Sequence, residues 1–257
     1  MSTIQPYEPP RSIGAKIARR LLPYQARRLL KINLERPVIS FTFDDFPRSA
    51  LDNGVRILEA NNWRATFYVS AGLMGVTNHH GQNFLAEDLI NIEARNHEIA
   101  GHTFSHLDCT SISVEDVLHE VESNKEALQT MGVRGDIEHF AYPYGAASPA
   151  LKTALAQKFK TMRGIDAGVH TKSADLNGLR SMGLFSGAPL REAIQAIERL
   201  KTQPGWLTLF AHDICDSPSK WGCSPAEFKQ TVDAAYKSGA HVLPIGKALN
   251  LLEAEYG

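Results

Sequence analysis

From Val38 onward the chain alternates short runs of β-branched and aromatic residues with longer amphipathic stretches, and this alternation restricts the fold more than any other feature. The short runs cover 38–43, 64–69, 97–102, 138–142, 160–163, 206–210 and 241–243. Between them, apolar residues recur at helical spacing over 50–61, 84–96, 114–131, 149–159, 190–201 and 225–238, and a further helix ends the chain. Strands separated by helices need crossover connections, which makes the sheet parallel. With this many units the sheet can close into an α/β barrel, whose chemistry sits at the carboxyl ends of its strands. A chain of 257 residues, 43% of them hydrophobic, suits one such domain and leaves little room for a second.

The part before the first strand reads differently. Residues 1–10 hold three prolines and little hydrophobic pattern, as in an arm laid on the surface or poorly ordered. The segment 13–32, IGAKIARRLLPYQARRLLKI, is basic and leucine-rich, and Pro23 should split it into two short amphipathic pieces. The expectation is a helix that closes one end of the barrel with its basic face in water. The other reading is a segment resting on an anionic membrane or an acidic partner. The division is thus 1–36, arm and basic segment, and 37–257, barrel.

Chemistry-bearing residues gather at the predicted strand ends. The first strand stops in Asp44 and Asp45, the third in His102, the fourth just before Tyr144, and the sixth just before His212. Two carboxylates at one strand end form a solvated turn unless a cation or a catalytic task uses them. His102 and His106 are four apart, which on a helical turn puts both imidazoles on one face. Alone, such a pair has no need of a metal; with an aspartate from another strand it makes a three-ligand set that suits a borderline divalent cation such as zinc, cobalt or nickel. His79, His80, His97, His119, His139, His170 and His241 have no such companions in sequence and read as surface or core histidines. The 27 basic and 28 acidic residues nearly cancel, so nothing global calls for nucleic acid or another polyanion. Three cysteines, an odd number, with no leader and no membrane-length apolar run, point to a reduced, cytoplasmic protein in which Cys215 and Cys223 are unpaired thiols.

Four pieces in order, Thr42–Phe43–Asp44–Asp45, the His102/His106 pair, Pro143–Tyr144–Gly145, and a strand running from Leu207 into His212, form a specific combination. From about Pro37 to Leu252 the chain resembles the polysaccharide deacetylase family, the metal-dependent carbohydrate esterases with a NodB-homology domain. The resemblance implies a distorted (β/α) barrel with fewer than eight full strands, about seven. It implies Asp45, His102 and His106 as metal ligands, Asp44 as general base, His212 as general acid, and the Tyr144 amide as an oxyanion donor. It also suggests Asp166 as the residue that orients His212, with Asp213 as a rival. Two departures matter. Many members carry an arginine where this chain has Ala141, followed here by Tyr142, so Arg163 or Arg180 is expected to reach Asp44 instead. Phe46 stands where glycine is commoner and should add an aromatic wall beside the metal. Loops 72–83 and 213–224, the latter with Trp221, are expected to line the substrate groove.

The expected activity is metal-dependent hydrolysis that removes N-acetyl or O-acetyl groups from a carbohydrate, with a soluble oligosaccharide or glycan precursor as substrate. Two other readings stand beside it: hydrolysis of a non-sugar C–N amide, such as a cyclic ureide, on the same fold, and metal or glycan binding without turnover.

Overall fold

The structure, a computed structural model, describes residues 12–256; the proline-rich arm over 1–10 lies outside them. In chain order the elements are α1 (Ile13–Leu21), β1 (Leu29–Lys31), β2 (Val38–Asp44), α2 (Arg56–Glu59), β3 (Thr66–Val69), β4 (Thr77–Asn78), β5 (Gly81–Gln82), α3 (Ala86–Ala94), β6 (Glu98–Gly101), α4 (Val114–Thr130), β7 (His139–Ala141), α5 (Pro149–Leu155), β8 (Thr161–Arg163), β9 (Ser173–Asp175), β10 (Met182–Gly183), α6 (Ala188–Arg199), β11 (Trp206–Ala211), α7 (Pro225–Ser238), β12 (His241–Val242) and α8 (Ile245–Tyr256). Seven parallel strands run in the order β10-β11-β2-β3-β6-β7-β8, and β12 adds to the start of β2. The sheet curls until one short segment serves both edges. Leu179 bridges to Arg163 on β8, and Met182 and Gly183 pair with Leu209 and Phe210 on β11. This is the distorted (β/α) barrel of about seven strands that the alternation and the resemblance called for.

The strand period of two sorts the side chains. Ile39, Phe41 and Phe43 of β2 join Phe67, Val69, Phe140, Met162, Leu207 and Leu209 in the main apolar cluster against the helices. The alternate row of β2, with Ser40, Thr42 and Asp44, is buried on the other face, where Tyr68, Ala141 and Trp206 belong to a second cluster. Polar groups in that row are paired: Trp206 Nε1–H donates to Ser40 Oγ, and Thr42 Oγ1–H to the Leu209 carbonyl. Asp44 therefore points into the barrel because it continues the Ser40–Thr42 row.

The amino end of the barrel is closed by α8. Its Ile245 N–H donates to Thr66 Oγ1 and its Gly246 N–H to Glu98, at the starts of β3 and β6, while Ile245, Leu249 and Leu252 fill the second cluster with Ile32 and Leu34. The expectation that the basic segment supplies this plug as a helix is corrected on two counts. In α1 the apolar stripe Ile13, Ile17 and Leu21 is exposed, so this helix does not bury its face in the barrel. Beyond Pro23 the second basic piece is a strand, β1, antiparallel to β9. Arg28 fixes it in extended form: its N–H donates to Asp175, and its guanidinium donates to the carbonyls of Ala156, Phe159 and Lys160.

Three buried histidines away from the strand ends make the fold acid-sensitive. Burial first of all presses the imidazoles of His97, His139 and His170 down to about 4. His97 Nδ1 accepts the Ala65 N–H and His170 Nε2 accepts the Arg180 N–H, so a proton on either nitrogen costs a backbone hydrogen bond. The unfolded chain takes up protons at these positions below about pH 6.5, whereas the folded chain resists until about pH 4. Stability present above pH 6.5 is thus lost as the pH falls towards 4, by on the order of 3 kcal/mol for each histidine at full extent. Urea unfolding of chelator-treated protein should show a midpoint that drops steeply between pH 7 and 4.5. A flat midpoint over that range would refute this account.

Candidate active site

The carboxyl ends of β2, β6, β7, β8 and β11 converge on Asp44 and Asp45. Asp44, 4% exposed, forms an ion pair with Arg163, 1% exposed, whose Nη2 lies 2.6 and 2.5 Å from the two carboxylate oxygens. The guanidinium is held between the rings of Tyr68 and Phe210, at 4.9 and 4.8 Å, and Nη1 donates to the Gly164 carbonyl. Arg163 stands in register with Ala141 on the neighbouring strand, so the cation comes from one strand further on, at the same height in the barrel. Arg180 does not reach Asp44. Its N–H serves His170, and its charge faces Asp166.

Asp45 turns away from that row because the chain there leaves the strand with φ of 62°, followed by 58° at Phe46. Eight non-glycine residues have positive φ among the described residues, and Asp45, Phe46, Thr103, His106 and Tyr144 are five of them. Strain of this kind gathers where surrounding structure over-determines a functional geometry. The reversal at Phe46 also places its ring in the core, fully buried between Phe67 and Phe84, so it does not wall the groove as expected.

His102 and His106 reach Asp45 from a bent loop and not, as the spacing suggested, from a helical turn. Left-handed backbone at Thr103 and His106 folds the loop back on itself, and Glu120 of α4 accepts the N–H groups of Phe104 and Ser105 within it. Nε2 of His106 lies 3.1 Å and Nε2 of His102 3.6 Å from Asp45 Oδ1. His102 Nδ1–H donates to the Ala141 carbonyl, which leaves Nε2 as a bare lone pair facing the carboxylate. Asp45 Oδ1 is buried without a hydrogen-bond partner. Two acceptors facing one another in a buried site have no stabilising contact unless a cation lies between them, so Asp45, His102 and His106 fit a divalent metal by chemistry as well as by closeness. Burial acts to raise the Asp45 pKa, yet His106, His212, His102 and His80 together outweigh it and hold the carboxyl well below its usual range.

His212 follows β11 and is pinned through Nδ1–H to the Trp221 carbonyl, not by Asp166, whose main-chain carbonyl accepts Ser181 N–H. Asp213, the rival for that role, holds a residue that sequence reasoning passed over. His80 Nδ1 sits 3.0 Å from Asp213 Oδ1 and from Ser219 Oγ, its Nε2 points at Asp45 Oδ2 from 3.8 Å, and its ring lies parallel to His212 at 4.5 Å. The tight turn β4–β5 presents His80, and the bridge between Pro47 and Asn83 ties that turn to the end of β2. Only the expectation that loop 72–83 faces the groove pointed this way; no residue spacing marks His80. Gly222 is required beside it, since a Cβ there would lie 2.6 Å from the Asp213 carboxyl carbon.

Tyr144 has φ of 58° in the turn after β7, and its hydroxyl lies 3.1 Å from His106 Nδ1. A Cβ on Gly145 would meet Ile165 at 2.4 Å, which explains glycine there. Tyr142 is buried, with its hydroxyl donating to the Asn177 carbonyl, so it supports the turn and does not face the groove. Trp221, 40% exposed, packs edge-on to Phe185 at the rim, with Lys220 over its ring.

Known proteins resemble this chain in sequence and in fold. Over 137 residues, 52% of this chain, it is 27% identical to a protein of Arthroderma benhamiae described as a probable peptidoglycan-N-acetylglucosamine deacetylase, and it spans 29% of that protein's length. Among solved structures, a family 4 carbohydrate esterase from Bacillus anthracis superposes with a TM-score of 0.62 over 96% of this chain and 99% of its own, at 16% identity. The chitin deacetylase of the fungus Colletotrichum lindemuthianum gives 0.60 over 87% and 91%, also at 16% identity. At such identities these two likenesses speak for the fold. The sequence profile of the polysaccharide deacetylase family matches residues 31–174, more than half of the chain and the stretch that carries Asp44, Asp45, His102, His106 and Tyr144, and the chain belongs to that family.

Proposed function

We propose that this protein is a metal-dependent hydrolase that removes acetyl groups from an N- or O-acetylated carbohydrate. The observation that carries the reading is the convergence of the His102 and His106 Nε2 atoms on Asp45 Oδ1, which has no hydrogen-bond partner, one residue away from the buried Asp44–Arg163 pair. Asp45, His102 and His106 hold the cation, for which zinc suits two imidazoles and one carboxylate best, with cobalt or nickel as substitutes. When bound, such an ion supplies Lewis acidity that polarises an amide or ester carbonyl and makes water a nucleophile near neutral pH.

The chain's own groups complete the chemistry. Asp44, held and aimed by its ion pair with Arg163, takes the proton from the attacking water. His212 gives a proton through Nε2 to the departing amine or alkoxide. Burial, and His80 next, lower its pKa to about 4, so once protonated it is a strong donor. The Tyr144 amide, presented by the strained turn before Gly145, donates to the oxygen that gains charge. The half-exposed Tyr144 and Trp221 offer aromatic surface on which a sugar ring can stack.

The test is acetate release from N-acetylated oligosaccharides by chelator-stripped protein, with and without added zinc or cobalt. Stripping is expected to lower the rate by at least about 100-fold and the metal to restore it. Release that persists unchanged in stripped protein would rule out the metal's part, and metal binding without release from any acetylated sugar would rule out the substrate class.

A further inference from the structure

Four imidazoles surround Asp45, which is more than one catalytic ion with open positions can use. Each has its Nδ1 engaged: His102 with the Ala141 carbonyl, His106 with the Tyr144 hydroxyl, His80 with the Asp213 carboxylate and His212 with the Trp221 carbonyl. Metal-bound histidines have this pattern, since the second nitrogen fixes the ring and raises the basicity of the first. The Nε2 atoms divide between the two oxygens of one carboxylate. Those of His102 and His106 face Oδ1, and that of His80 faces Oδ2. Asp45, His80 and His212 each offer a ligand atom within 4.8 Å of the others, as Asp45, His102 and His106 do.

We propose that Asp45, His80 and His212 form a second divalent-cation site that shares Asp45 with the first, and that filling it switches the enzyme off. The proposal rests on the reading above for the activating first site and for the part played by His212. A cation on His212 Nε2 takes the lone pair that must carry a proton to the leaving group, so the second ion inhibits where the first activates. Two dications on one carboxylate repel each other, which makes the second site the weaker. The Asp213 carboxylate behind His80 offsets part of that repulsion. It is buried and anchored by Ser219 N–H and Oγ–H.

The experiment is a titration of the stripped full chain with cobalt(II), followed by its visible absorption, and with zinc by equilibrium dialysis. Two equivalents are expected in the wild type and one in His80→Ala. Asp213→Ala should keep both sites but weaken the second by about 10- to 100-fold. The double variant His102→Ala/His106→Ala should lose the first equivalent and keep the second; retention of both there would count against the proposed primary site and leave the second untouched. Acetate release should peak near one equivalent and decline as the second fills, a decline missing in His80→Ala. Saturation of the wild type at one equivalent, or a second equivalent that survives His80→Ala, would overturn the proposal. A rise in turnover with the second equivalent would overturn its inhibitory half.

Discussion

Asp44→Asn is expected to lower kcat for acetate release by between about 10²- and 10⁴-fold while the protein still binds its activating metal. The substitution preserves shape and removes the charge. An amide oxygen can still accept from Arg163, but it cannot take a proton from water at neutral pH, and no other carboxylate stands at the carboxyl end of β2 apart from Asp45, which is committed to the histidines. The ligands lie on a different row of side chains, because the backbone reverses at φ of 62° after Asp44, so the first metal equivalent should be retained. Both quantities must be measured on one preparation: kcat for a defined N-acetylated oligosaccharide, and bound zinc by elemental analysis. If kcat stays within a few-fold of the wild type, Asp44 is not the base. If metal is lost along with turnover, Asp44 is a ligand and the division of labour between the two aspartates is wrong. A protein that only bound metal or glycan would show neither change.

How much of this was legible in the sequence depends on how local the cause is. Strands and helices were readable because their signals repeat within a dozen residues, and α7, with Ser224 as cap and Gly239 at its end, has the bounds that periodicity gave. The ordering Asp44–Asp45, His102, Tyr144, His212 at strand ends followed from the same alternation. The spacing of His102 and His106 indicated a shared target, but for a reason the fold does not use. A loop bent by two left-handed residues brings them together, and propensity gives no warning of φ above zero at a threonine or a histidine. The ring of Phe46 was misplaced on the same ground. Long-range placements were legible only where the resemblance supplied them: the missing family arginine pointed to Arg163 or Arg180 as the partner of Asp44, and Arg163 takes that place. His80 comes from a two-residue turn with no companion in sequence and meets Asp213, 133 residues away. The two ends of 13–32 part company because Arg28 finds carbonyls on the α5–β8 connection, while nothing among the described residues buries Ile13, Ile17 or Leu21.

Arg163→Leu is expected to destabilise the fold by about 3–5 kcal/mol, because it strands the Asp44 carboxylate in the barrel interior without its cation. For a chain of this size that corresponds to a fall in melting temperature of roughly 10 °C. A packing loss adds to this, since leucine ends at the Cδ level and leaves empty the space between Tyr68 and Phe210, where the guanidinium now sits at 4.9 and 4.8 Å. Most of the cost is desolvation of Asp44, which has no water to turn to at 4% exposure and would relieve it by taking up a proton. A protonated carboxyl cannot act as the base, so turnover should fall in parallel with stability. The two effects separate in a double-mutant cycle. Asp44→Leu in the Arg163→Leu background removes the stranded charge and is expected to recover most of the lost stability, with no recovery of turnover. Thermal unfolding of the wild type, both single variants and the double variant measures the coupling. Additive losses would show that the pair, although 2.5 Å apart, does not hold this end of the barrel together. Because Arg163 stands in register with Ala141, a further variant asks whether the strand of origin matters. Ala141→Arg in the Arg163→Leu background should restore part of the turnover if what Asp44 needs is a buried guanidinium at that height in the barrel, from either strand.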